Sequence, residues 1–105
     1  MKQISSTLII STYNWAEALE LVLLSVVKQT VLPSEVIVAD DGSTEKTKIL
    51  IESFQNDFPV PLKHIWHEDM GFTKSIILNK AVANSIGDYI IQIDGDCIIH
   101  KNFVK

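Results

Sequence analysis

The chain has 105 residues, 47% hydrophobic and 21% charged, with a formal net charge of −4. That composition suits one globular domain or a piece of one and excludes a disordered chain. The nine positive residues are all lysine and form no basic stripe, which excludes a nucleic-acid surface and leaves phosphates to be met by ammonium groups, backbone amides, hydroxyls or a metal.

The start, "MKQISSTLIIST", turns polar too soon to be a signal peptide or a spanning helix, and its end, "TLIIST" (7–12), reads as the first strand. Asn14 followed by Glu17 resembles a capping box, and Leu19, Val22, Leu23, Val26 and Val27 form an apolar stripe at helical spacing. "EVIVAD" (35–40) is the second strand. Ser43 or Thr44 can cap a second helix whose Ile49, Leu50, Phe54 and Phe58 face inward. "LKHIWH" (62–67) is the third strand. A third helix runs from about Thr73 to Ser85, with Ile77 and Ala81 on one face and Gly87 as its stop. "DYIIQID" (88–94) is the fourth strand. Apolar strands alternating with helices predict an α/β fold with a parallel β-α-β-α-β-α-β sheet and right-handed crossovers.

In open parallel sheets, ligands bind beyond the carboxyl ends of the strands. Here those ends carry "STYN", "DDGS", "HEDMG" and "DGDC". Each alone has an ordinary structural explanation as a cap, a turn or a solvated loop. All four at one edge point to a common ligand. No GxGxxG follows the first strand and no GxxxxGK[ST] occurs, which disfavours dinucleotide binding and a P-loop. Phosphate then needs another partner. Asp94 and Asp96, separated by Gly95, can hold a hard divalent cation that bridges to diphosphate oxygens and relieves their mutual repulsion. A hairpin turn at "IDGD" is the alternative.

The stretches "LIISTYNWAEALELVLLSVVKQT", "EVIVADDGSTEKT", "HIWHEDMGF" with "LNKAVANSIGDYI", and "IDGDCIIHKNFV" cover nearly the whole chain. In this order they resemble the N-terminal, nucleotide-binding half of family 2 glycosyltransferases, nearest the branch that includes bacterial chondroitin polymerases. The resemblance implies a Rossmann-like, three-layer GT-A fold, truncated after the strand that carries the DxD motif. It also implies inverting transfer of a sugar from a UDP-sugar donor to a glycan or lipid-linked acceptor, with Mn²⁺ or Mg²⁺. Carried over by position, Ser11, Thr12 and Tyr13 lie beside the nucleoside, with Tyr13 packing on the base. Asp41 would hydrogen-bond the base or ribose, and Asp69 would approach from the loop after the third strand. Asp94 and Asp96 form the DxD pair, Asp96 directly on the metal and Asp94 nearer the ribose.

The chain departs from the family pattern in places. Proline is common where Ser11 stands, and arginines are common in the stretch that here reads "TKSIILNKA", with Lys74 and Lys80 as its cations. The family module continues well past the DxD to an acceptor site and a carboxylate base. Residues 1–105 are therefore expected to be the donor half only. They are expected to lack the base, to be inactive alone and to self-associate through the open edge of the fourth strand. The expected location is the cytoplasm, with the complete enzyme peripheral at the inner face of the membrane. A single cysteine, Cys97, fits that compartment and reads as a small buried hydrophobe.

His64 and His67, three apart on a strand, should point to opposite faces and not chelate together. His100 reads as a surface residue, and Trp15 and Trp66 as packing residues. Two other functions compete. A non-catalytic nucleotide-binding or oligomerising fragment would share every site residue. A phosphoacceptor receiver domain would need its acidic pair after the first strand, whereas this chain has it after the second.

Overall fold

The computed structural model describes residues 5–29, 32–67, 74–87 and 89–94. Four strands, β1 (Ser6–Thr12), β2 (Glu35–Asp40), β3 (Leu62–Trp66) and β4 (Tyr89–Asp94), alternate with three helices, α1 (Ala16–Val27), α2 (Glu45–Gln55) and α3 (Lys74–Ala83). The strands form one sheet in the order β3-β2-β1-β4 with every pairing parallel. The chain thus walks outward from β1 to β3, then returns to lay β4 on the other side of β1. That reversal puts the switch point of the sheet between the carboxyl ends of β1 and β4.

The alternation along β1 and β2 sorts the core into two layers. Leu8, Ile10, Val36 and Val38 pack under α1 and α2, with Leu19, Val22, Leu23, Val26 and Ile51. Ile9, Ile37 and Ala39 face the other way, against Ile77 and Ala81 of α3. β2 is buried at all six positions, as a central strand covered on both faces must be. Each fully buried Leu, Ile or Val contributes about 1.5–3 kcal/mol relative to exposure.

Two helical phases differ from expectation. Val27 is exposed, because α1 turns its stripe of Leu19, Val22, Leu23 and Val26 inward and the next residue swings about 100° away. In α2 the inward side is Thr47 and Ile51, one turn apart, while Ile49 faces solvent. Leu50, Phe54 and Phe58 pack partly against the core. Nor does Gly87 stop α3, whose end is closed by the Asn84 amide on the Lys80 and Ala81 carbonyls. Gly87 lies instead against β1, where a Cβ would stand 2.5 Å from the Thr7 nitrogen.

That contact belongs to a polar clasp at the amino ends of the strands. The fully buried Glu35 accepts from the Thr7 hydroxyl at 2.7 Å and from the Ile86 amide at 2.6 Å. Lys63 Nζ stands 2.7 Å from its other oxygen, a charge contact rather than an aligned hydrogen bond. The Gly87 amide in turn donates to the Thr7 hydroxyl. β1, β2, β3 and the segment entering β4 are thereby tied through one carboxylate. β4 is an edge of the described sheet, with Tyr89 and Ile90 exposed and Ile93 buried. Among the described residues no helix is long and apolar enough to cross a membrane.

Candidate functional site at the carboxyl ends of the strands

Strand register assembles the site. Ser11 is paired across the sheet with Asp94 on one side and Ala39 on the other, and Thr12 is paired with Asp40. The carried-over residues Ser11, Thr12, Asp41 and Asp94 therefore meet at one edge. Asp69 and Asp96 lie outside the described residues, as do His100 and Cys97.

The two loops that frame this edge are locked together. Asn14 has φ 47°, a left-handed conformation that Asn tolerates better than most residues, and it turns the chain sharply out of β1. Its amide donates to Ser43 Oγ at 2.7 Å and its side-chain oxygen accepts from the Thr44 amide at 2.7 Å. The capping box expected at Asn14 and Glu17 does not form. α1 begins after Trp15 without a side-chain cap, and Asn14 instead serves the first turn of α2. The amide of Thr44, the N-cap of α2, thus finds its partner in Asn14 across the two loops rather than within its own helix. Glu17 pairs with Lys46 across the two helices, on the exposed surface.

That turn sets Tyr13 and Trp15 out at the rim, 50% and 54% exposed. Of the core or edge packing roles expected for the two tryptophans, their exposure excludes the core; Trp66 is 51% exposed, and its indole N–H donates to the Ser43 carbonyl at 3.1 Å. Thr12 is buried, and among the described residues its hydroxyl oxygen has no hydrogen-bond partner.

The second loop starts at the acidic pair that ends β2. Asp40 is buried; one carboxylate oxygen accepts from the Ser43 amide at 2.8 Å and the other meets His64 Nε2 at 2.8 Å. Asp41 is held to β1 by its amide, which donates to the Thr12 carbonyl, and Gly42 follows at φ 91°, a conformation that favours glycine. The Asp41 carboxylate accepts from His67 Nε2 at 2.5 Å. The two histidines take different aspartates, in keeping with their expected opposite directions. These His–Asp pairs were not legible in the sequence. Only the alignment of Asp40 with Trp66 across β2 and β3 brings the residues into reach.

A cavity of about 490 Å³ opens beside this edge, between the start of α2 and the end of β3, lined by Ser43, Thr44, Glu45, Lys48, His64 and Trp66. Among the described residues, none of the carried-over nucleoside residues lines it. Among the described residues no three His, Cys, Asp or Glu side chains cluster closely enough to hold a metal.

Comparison with known proteins agrees with this geometry. Residues 7–105 match the family model for glycosyl transferase family 2. An uncharacterised glycosyltransferase of Bacillus subtilis is 39% identical over 94% of this chain and 25% of its own length. Chondroitin synthase of Pasteurella multocida is 29% identical over 90% of the chain and 10% of its own length. Staphylococcus aureus TarS 1-349, solved in complex with UDP-GlcNAc, superimposes with a TM-score of 0.72 at 28% identity, covering 93% of this chain and 28% of that one. A mannosyltransferase from Pyrobaculum calidifontis, in complex with GDP-Man and Mn²⁺, gives 0.78 at 27% identity, covering 90% and 28%. The chain thus spans between 10% and 28% of the length of these proteins, and the receiver-domain alternative falls away. With its parallel sheet and its polar carboxyl edge, the chain belongs to glycosyl transferase family 2 and has part of the GT-A fold.

Proposed function

We propose that this chain is the donor-binding half of an inverting glycosyltransferase that takes a UDP-sugar. The observation that carries this reading is the register that sets Asp94 beside Ser11 and the end of β2 beside Thr12. A buried Thr12 hydroxyl with no partner among the described residues adds support, since a polar ligand at this edge would satisfy it. TarS in complex with UDP-GlcNAc favours a uridine donor, although the mannosyltransferase complex holds GDP-Man.

Each residue then has a defined task. Tyr13, exposed at the rim, offers its ring to the base. Asp41 accepts a hydrogen bond from the nucleoside. Asp94, Asp96 and the diphosphate supply hard oxygen donors of the kind that Mn²⁺ or Mg²⁺ takes. A cation held there would offset the charge that builds on the departing diphosphate, a task that no arginine can perform in this chain. An acceptor hydroxyl, deprotonated by a carboxylate from outside residues 1–105, would attack the anomeric carbon from the face opposite the leaving group. Glycans and lipid-linked saccharides are the acceptor class.

Titration calorimetry of UDP with Mn²⁺ and with chelator tests the donor site. UDP should bind with the cation and lose at least about tenfold in affinity without it. Asp96→Asn should abolish the cation dependence, while Asp41→Asn weakens UDP and leaves the dependence intact. Equal binding with and without Mn²⁺ would remove the cation from the mechanism.

A further inference from the structure

Asp40, which ends β2, and Asp41, which follows it, differ in what their carboxylates can still do. Asp40 is spent inside the fold: its side chain is 1% exposed, and its oxygens serve the Ser43 amide and His64. The Asp41 side chain is 15% exposed, and its partner is His67, whose own side chain is only 5% exposed. A carboxylate has about four acceptor positions, so the bond from His67 leaves Asp41 with capacity to accept from a ligand.

A carboxylate that recognises a ligand N–H must be held within about 0.5 Å of the right place. Asp41 follows the last residue of β2, and both of its side-chain torsions must be fixed by something else. Its backbone is fixed by the bond to Thr12 and by the turn at Gly42. Its side chain is fixed by the imidazole of His67. That imidazole is itself held, because the His67 amide extends the β2–β3 ladder onto the Asp40 carbonyl at 3.4 Å and its ring is buried.

We infer that His67 is a positioning residue that makes Asp41 a reader of the nucleobase, selecting uracil over cytosine. This rests on the donor-site reading above. Uracil presents an N–H at ring position 3, which a fixed carboxylate accepts. Cytosine presents a lone pair at the same place, which a carboxylate repels. A site built around one such hydrogen bond rejects the ligand that lacks it far more strongly than packing alone can. If the imidazole is removed, Asp41 can swing away from the base, and both the attraction and the repulsion fade.

The test compares UDP with CDP, each titrated with Mn²⁺ into the chain and into His67→Gln, His67→Asn, His67→Leu and His64→Gln. The glutamine amide can take the place of Nε2 and reach Asp41; the asparagine amide, one methylene shorter, cannot. Wild type should prefer UDP by about tenfold or more. Asn and Leu at position 67 should weaken UDP by about tenfold, leave CDP within about twofold and so collapse the ratio. Gln at 67 should retain most of it, and His64→Gln should leave it at the wild-type value. If Leu fails to fold, the Gln and Asn pair decides. A folded Asn or Leu variant with the wild-type ratio, or one that loses both nucleotides equally, overturns the role of His67. So does a wild type that binds the two nucleotides alike. A wild type that binds neither sinks the donor-site reading itself.

Discussion

β2 carries a buried acid at each end, and the two ends are built differently. At its start, Glu35 is enclosed by donors from the rest of the fold: the Thr7 hydroxyl, the Ile86 amide and the Lys63 ammonium. At its finish, Asp40 meets His64 from the middle of β3 and Asp41 meets His67 just past its end, and Asp41 retains exposure. The first arrangement directs the whole charge inward and closes the amino end of the sheet. The second uses one acid to brace the turn into α2 and keeps the other accessible. A buried charge tied to several elements suits stability and assembly, whereas one braced by a buried histidine and left partly open suits a ligand.

The largest effect should come from removing the enclosed charge. Glu35→Ala strands the Ile86 amide and the Thr7 hydroxyl and should cost about 3–5 kcal/mol in urea unfolding. Acid sharpens the same point. Burial pushes the Glu35 carboxyl up, but Lys63, the Ile86 amide and Thr7 more than offset it, and the group titrates below its ordinary value. With the folded value below the unfolded one, the contribution of Glu35 is fully present above the unfolded value of about 4.3 and is lost as pH falls through the folded value. Wild type should therefore lose stability below about pH 4.3 more steeply than Glu35→Gln. Parallel acid limbs would show that the clasp does not depend on the charge.

A smaller loss is expected at Gly87. A Cβ there would stand 2.5 Å from the Thr7 nitrogen and 2.6 Å from the Ser6 carbonyl carbon, backbone atoms that cannot turn aside as a side chain can. Gly87→Ala should cost about 1–3 kcal/mol in urea unfolding while the folded fraction keeps its affinity for UDP. A loss of affinity in the folded protein would mean that the two ends of the sheet are coupled through β1 and β4.

Much of this architecture is legible in the sequence, because strand-length apolar runs separated by helical stripes leave few alternatives to a parallel sheet. The strand bounds fall within a residue of expectation, and the polar carboxyl ends meet as expected. What the sequence hides depends on distant contacts. Gly87 reads locally as a helix stop, but its neighbour is Thr7, at the other end of the chain. The buried stripe of α2 includes Thr47, a polar residue that masks the phase leading to Ile51. His64 and His67 can be assigned to opposite faces from spacing alone. Their aspartates are fixed only by the register of β3 on β2.

The smallest expected effect concerns Asn14, which sits between the exposed rim aromatics Tyr13 and Trp15 and carries two separable features. Its side-chain oxygen caps the Thr44 amide, and its backbone adopts φ 47°. Asn14→Gly keeps the left-handed turn and the amide donation to Ser43 Oγ but deletes the cap, and should cost about 0.5–1 kcal/mol. Asn14→Ala deletes the same cap and leaves in the left-handed turn a residue that tolerates it less well than Asn or Gly, and should cost about 1 kcal/mol more than the glycine variant. Urea unfolding of the two variants beside wild type separates the terms. If Ala and Gly are equally destabilised, the backbone there relaxes without strain and the cap alone braces the loop. The comparison bears on the site as well, because this turn joins the segment that carries Tyr13 and Trp15 to Ser43 and Thr44. A variant that relaxes it should weaken UDP more than Gly87→Ala does, although it costs less stability. The reverse order would place the constraint on the nucleotide edge in the sheet itself rather than in the two loops that Asn14 ties together.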